Sequence, residues 1–132
     1  LVDGVGSDGP VNIDAITVDG AINGAASCQA GDNRFYGIRY IDSDGTIANS
    51  VIENVRKGPG LEGCQEGVAV DVRTRFLPSA TVSVVDNQIF NYQKGGISAV
   101  LTGATLHASG NTITGWGPTT LIAQNGIQIG FG

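Results

Sequence analysis

The side chains able to do acid–base, nucleophilic or metal chemistry are few in this sequence, and their spacing matches no catalytic pattern. His107 is the only histidine; it follows Leu106 in a strand-like segment and belongs to no metal or nucleophile motif. Asp42-Ser43-Asp44-Gly45 begins like a calcium loop, but aligning Gly45 with the loop glycine puts Val51 where a bidentate glutamate is required. A turn whose aspartates bond their own backbone is the simpler reading. Asp3 and Asp8, in the Gly-rich opening segment, do not meet the nonapeptide calcium spacing. Gly58-Pro59-Gly60 lacks the Gly-Lys-Ser/Thr ending and the helix of a phosphate loop. No metal and no cofactor is expected.

What remains is a set of mixed charges beside aromatic rings: Asp32, Arg34, Phe35, Lys57, Glu62, Glu66, Lys94 and Trp116. Rings stack on sugar faces while polar groups read hydroxyls, so such a set suits carbohydrate recognition, and it suits an ordinary protein contact equally. Trp116 has two readings, an inward-packed ring or a sugar-stacking platform. These residues are far apart in sequence, so they act together only if the fold gathers them.

A repeat supplies that gathering. Gly37-Ile38-Arg39-Tyr40, Gly67-Val68-Ala69-Val70, Gly96-Ile97-Ser98-Ala99 and Gly126-Ile127-Gln128-Ile129 share one pattern, with leading glycines 30, 29 and 30 residues apart. Repeats of this length signal a solenoid. A second column, Ile22, Ile52, Ile89 and Ile113, lies two residues before Gly24, Asn54, Asn91 and Gly115, types that enter the left-handed region most readily. Further strands start at Thr46, Thr81 and Thr105. Gly20, Ser50, Asn87 and Asn111 form a column suited to a hydrogen-bonded ladder.

In the glycine strands, apolar residues alternate with Arg39, Ala69, Ser98 and Gln128, the period of a half-buried strand. Stacking them predicts a parallel sheet with Ile38, Val68, Ile97 and Ile127 in one inner row. The intervals from the Ile column to the Gly column are 15, 15, seven and 13 residues. The three longer ones are corner insertions that would collect the candidate binding residues on one edge.

Composition agrees with an all-β chain. Charged residues are 14% and glycines number 21 of 132, against roughly 25% and 7% in average domains. Val, Ile and Thr fill the periodic positions, as strands prefer. The formal net charge is −5 and the seven Lys and Arg residues are dispersed, which argues against a nucleic-acid partner. No apolar run approaches the ~18 residues of a membrane span.

The bend column, the Gly-led strands and coils near thirty residues together resemble the right-handed parallel β-helix family, the fold of pectate lyases and their relatives. Segments such as Leu61-Glu62-Gly63-Cys64-Gln65, Tyr92-Gln93-Lys94 and Gln124-Asn125-Gly126-Ile127 are similar to those of secreted bacterial β-helix repeat proteins. The resemblance implies about four coils over residues 11–132, after an N-terminal loop or arm at 1–10. Its enzymes, polysaccharide lyases and epimerases, need a charge neutraliser and a base. The outward positions here are Arg39, Ala69, Ser98, Gln128, Ile41, Asp71, Val100 and Gly130, of which only Arg39 and Asp71 ionise, so no catalytic residue is assigned. The expected role is a non-catalytic extracellular module, structural or binding a carbohydrate or partner; the alternative is a segment of a lyase or epimerase acting on acidic polysaccharide.

Cys28 and Cys64 fall in the same corner of adjacent coils. Strands stacked about 4.8 Å apart bring such corners within disulfide reach, and pairing implies a secreted or periplasmic home. Two separate buried thiols are the alternative. The chain has no Met and its last residues lie inside a strand, so a longer solenoid, or another copy stacked on the open coil end, is expected.

Overall fold

A computed structural model describes residues 2–5, 9–21, 27–29 and 34–130. Among the described residues there are thirteen strands and no helix. All pairings are parallel. The first sheet contains β1 (Val2–Val5), β4 (Tyr36–Ile41), β7 (Val68–Arg73), β10 (Gly95–Val100) and β13 (Asn125–Gly130), in that order. The second contains β2 (Val11–Asp14), β5 (Gly45–Ala48), β8 (Ala80–Val85) and β11 (Ala104–Ser109); the third contains β3 (Thr17–Asp19), β6 (Val51–Glu53), β9 (Gln88–Phe90) and β12 (Thr112–Thr114). The chain visits the sheets in the same sequence on each pass, a solenoid-like parallel arrangement in which every strand lies on its predecessor.

The core fills the space between the sheets. Ile38, Ile47, Ile52, Val70, Val82, Val84, Ile89 and Ile97 are fully buried, and each such side chain contributes about 1.5–3 kcal/mol of transfer free energy. The register corrects the expected inner row: Ile38 pairs with Val70, which pairs with Ile97, which pairs with Ile127. Val68 sits two residues earlier, opposite Tyr36. On the edge strand the same rows end in Ile127 and Ile129, 50% and 67% exposed, whereas Ile97 and Ala99 above them are 0% and 3% exposed.

The shift comes from Gly67, which is not the counterpart of Gly37. It has φ 84, and its carbonyl accepts from the backbone of Gln93 and Lys94, so it makes the junction into β7. The residue opposite Gly37 and Gly96 is Ala69. This column must stay small, because a Cβ on Gly37 would meet the Ala69 carbonyl at 2.6 Å and a Val55 methyl at 3.0 Å.

Two bends separate the sheets. Between the second and third, Ala15, Asn49, Asp86 and Gly110 take φ 53, 50, 54 and 67. The next residue in each coil forms a ladder: the Ile16 amide donates to Ser50 Oγ, the Ser50 amide to Asn87 Oδ1, and the Asn87 amide to Asn111 Oδ1. Ile16, not Gly20, is therefore the first coil's member. After the third sheet, Asn54 and Asn91 are left-handed at φ 57 and 56, and their amides link Asn91 to Asn54 and Asn54 to Asp19. Here too the first coil differs from expectation, because Val18 rather than Ile22 pairs with Ile52; Ile22 and Gly24 lie outside the described residues. The threonine column also dissolves, since Thr46 pairs with Ser83 while Thr81 pairs with Thr105.

Candidate functional site

The corrected register rearranges the outer face of the first sheet. Arg39, Asp71, Ser98 and Gln128 form one row. Ile41, Arg73, Val100 and Gly130 form the next. Asp71 thus lies beside Arg39, where the glycine pattern would have put Ala69.

A hydrogen-bonded cluster results. The Ser98 hydroxyl donates to Asp71 Oδ1 at 2.6 Å, and Arg73 Nε donates to Asp71 Oδ2 at 2.6 Å. Arg73 Nη2 also donates to the Tyr36 hydroxyl at 3.0 Å. The guanidinium carbons of Arg39 and Arg73 lie 5.1 and 5.3 Å from the centre of the Tyr36 ring, within cation–π range. Burial disfavours charge on Arg73, but the hydrogen bond and ion pair with Asp71 outweigh it and hold its pKa above the ordinary value. Burial, reinforced by the Asp71 charge, pushes the Tyr36 phenol up against the opposing pull of Arg73 and Arg34. Tyr36 stays neutral and Arg73 cationic across the physiological range.

The cluster floors a groove of about 400 Å³ that Arg34 and Lys94 also line, with Gln128 further along. Among the described residues lining it, Asp71 is the single carboxylate, and Arg73 already neutralises it. Arg34 and Lys94 therefore give the groove a net positive character in a chain of net charge −5. It can hold an anionic group between guanidinium and ammonium donors, with Ser98 and Gln128 available to sugar hydroxyls.

The expected binding edge divides into several environments. Arg34 and Lys94 line the groove. Lys57 and Glu66 do not reach solvent: they are 2% and 0% exposed and pair with each other at 3.3 Å. Glu66 also accepts from the backbone amides of Gln29 and Phe35, so it ties the corner loop together instead of meeting a ligand. Phe35 is half-buried against the core, and Glu62 accepts from the Gly60 amide within its own loop. Trp116 is half-buried beneath Arg56, whose guanidinium lies 5.0 Å from its ring. Asp32 lies outside the described residues. His107 is exposed on the second sheet, opposite Ser83.

Cys28 and Cys64 form a disulfide with Cα atoms 5.3 Å apart. Beside it is a buried residue the sequence did not flag: Gln93 accepts from the Lys57 amide and donates to the Leu61 and Cys64 carbonyls. Nothing in its type or spacing sets Gln93 apart from a surface glutamine; its only cue is its place two residues after the left-handed Asn91. Tyr36 was missed as a site residue because its role depends on the two-residue register shift; the sequence offers Arg73 with Arg75 as a pair able to hold a carboxylated sugar but favours a solvated turn, whereas Arg73 ends β7 and donates to Asp71.

No family model, curated protein or solved structure matches this chain.

Proposed function

We propose that this chain is a right-handed parallel β-helix module of an extracellular protein, and that the outer face of its first sheet binds an acidic polysaccharide. The observation that carries the reading is the clustering of Arg34, Arg39, Arg73 and Lys94 around one neutralised carboxylate, Asp71, in an otherwise acidic chain. Three parallel sheets visited in a fixed order support the fold, and the Cys28–Cys64 bridge supports an oxidising compartment. A groove along stacked strands suits a linear polymer, whose uronate or sulfate groups would meet Arg34 and Lys94 while its hydroxyls meet Ser98 and Gln128.

Affinity electrophoresis through gels containing polygalacturonate or, separately, uncharged dextran tests this. Retardation by the anionic polymer alone, weakened at high salt and in Arg34→Ala and Lys94→Ala, is the expected result. Equal mobility in both gels would remove the proposal. Because Ser98 and Arg73 already occupy both Asp71 oxygens, this carboxylate is poorly placed to act as a base. Ultraviolet absorbance from unsaturated uronate products would nevertheless assign the groove to a lyase instead.

A further inference from the structure

We infer that Leu101 is a specificity-determining residue of the groove, walling it for a small apolar group: an O-acyl ester carried on the acidic polysaccharide. The inference rests on the groove's binding such a polymer, and it says which form of the polymer the groove prefers. Leu101 has φ 76, a region that a bulky side chain enters only at a cost in strain. Among the described residues, the other non-glycine positions with positive φ hold alanine, asparagine or aspartate. Strain of this kind persists where the surrounding structure fixes it, and it gathers at ligand sites.

The fold needs the left-handed bend but not the leucine. Asp42, with φ 53, follows Ile41 in an earlier coil as Leu101 follows Val100. The two residues bond alike: the Asp42 amide donates to the Arg73 carbonyl and the Leu101 amide to the Gly130 carbonyl. After Leu101 the chain turns tightly into β11. The Ala104 amide donates to the Leu101 carbonyl, and Gly103, at φ 96, leaves no room for a Cβ beside the Pro78 carbonyl. The core does not call for an aliphatic side chain at this bend. Ala99 and Ala104 meet the core before and after it, whereas Leu101 is half-buried and lines the groove beside Val100.

That placement gives the groove two unlike ends. The exposed Arg34 and the half-buried Lys94 stand where strands of the first sheet begin, and Val100 and Leu101 stand where β10 ends. β10 covers Gly95–Val100, about 17 Å from end to end, so the two ends meet different units of a polymer. An anionic group answers the cationic end. The aliphatic end gains by removing an apolar group from water. A methyl ester formed on a uronate removes one charge for each methyl it adds. An acyl ester on a ring hydroxyl adds the methyl and keeps every carboxylate.

Affinity electrophoresis of the whole chain through gels of polygalacturonate, O-acetylated polygalacturonate and partly methyl-esterified polygalacturonate tests this. The native protein should bind the acetylated polymer about fourfold more tightly than polygalacturonate, the factor that one buried methyl supplies. Leu101→Asn, a type that tolerates left-handed backbone, should lose that preference, keep its affinity for polygalacturonate and melt no lower than the native protein. Leu101→Met should keep the preference. Equal retardation of the native protein by the acetylated polymer and by polygalacturonate overturns the inference while polyanion binding in the groove stands. Tightest binding to the methyl-esterified polymer overturns it too, as does a Leu101→Asn variant that keeps the preference or weakens on both polymers alike. If Leu101→Asn unfolds or melts well below the native protein, the leucine serves the fold and the inference fails. Retardation in none of the gels removes the polysaccharide reading and this inference with it.

Discussion

Lys57 Nζ and Glu66 Oε2 lie 3.3 Å apart with side chains 1% and 0% exposed, so the corner is held by an ion pair inside the protein. Glu66 receives three donors: Lys57, the Gln29 amide and the Phe35 amide. It thereby ties Gln29 to Phe35, whose chain neighbour Arg34 lines the groove.

Removing one partner leaves the other charge buried. Lys57→Met or Glu66→Gln should each cost about 3–5 kcal/mol, and the double variant should cost less than the sum. Urea denaturation of the four proteins checks this. Additive losses would mean that the two charges do not depend on each other.

The disulfide acts on the same corner through the unfolded chain. Cys28 and Cys64 are separated by 36 residues, for which loop-closure entropy gives about 4 kcal/mol of stabilisation. Cys28→Ser with Cys64→Ser should lower stability by about 2–5 kcal/mol, read from denaturation curves. Native protein unfolded without reductant should gain no mass from an alkylating reagent; two added alkyl groups would refute the pairing.

The architecture was legible in the sequence to the extent that side-chain type reports backbone need. Coil length, the bends at Asn54 and Asn91 and the Ser50–Asn87–Asn111 ladder follow from residue types that have few alternative uses. Register was not legible, because glycine serves two purposes here: Gly37 and Gly96 avoid a collision, whereas Gly67 supplies a positive φ. Taking all three as one column moved Asp71 and Arg73 out of place and hid the groove. Lys57 and Glu66 were misplaced for a different reason: charge favours the surface, and only three-dimensional pairing reverses that preference. The bend column of Asn49, Asp86 and Gly110 went unread, although all three types tolerate left-handed backbone.

Steric need along the glycine column differs from coil to coil. A Cβ on Gly96 would lie 2.5 Å from Ile113 Cγ2 and 2.6 Å from the Gly126 carbonyl, while one on Gly126 meets nothing within 4 Å. Gly96→Ala should cost about 1–3 kcal/mol and Gly126→Ala less than about 0.5 kcal/mol. Melting of the two variants side by side measures the difference. Equal losses would contradict the packing at Ile113.

Two groups should contribute to the acid and alkaline limits of stability. Burial alone would raise the Asp42 pKa, but the amides of Arg75, Phe76 and Leu77 all donate to its carboxylate and bring it below the ordinary value. A depressed folded pKa contributes stability that is present above the unfolded value and lost as pH falls through the folded one. Asp42→Asn should therefore start less stable at neutral pH and lose less on acidification below about pH 4. Tyr40 has the opposite sign. Burial lifts its pKa from 10.0 to about 12, so its contribution is intact below 10 and is lost as pH rises through about 12. Tyr40→Phe should flatten the alkaline limb while giving up the hydrogen bond to the Val11 carbonyl. Denaturation midpoints across the pH range test both signs at once.

Asn87 is the ladder residue with the most to lose. It is 1% exposed; Oδ1 accepts from the Ser50 amide at 2.9 Å, and Nδ2 donates to the Ile47 carbonyl at 2.9 Å and to Asn111 Oδ1 at 3.0 Å. Asn87→Ala leaves a buried amide and a buried carbonyl without that partner, a loss of about 2–3 kcal/mol. Asn111→Ala, at a half-buried position, should cost about 1 kcal/mol. Asn87→Asp keeps the shape but replaces two donations with a buried charge, so near neutral pH it should be less stable than Asn87→Ala and should recover on acidification as the carboxyl gains its proton. Urea titrations at two pH values rank the three variants. If Asn87→Asp matches the unmodified protein near neutral pH, the stacked amides do not hold this bend.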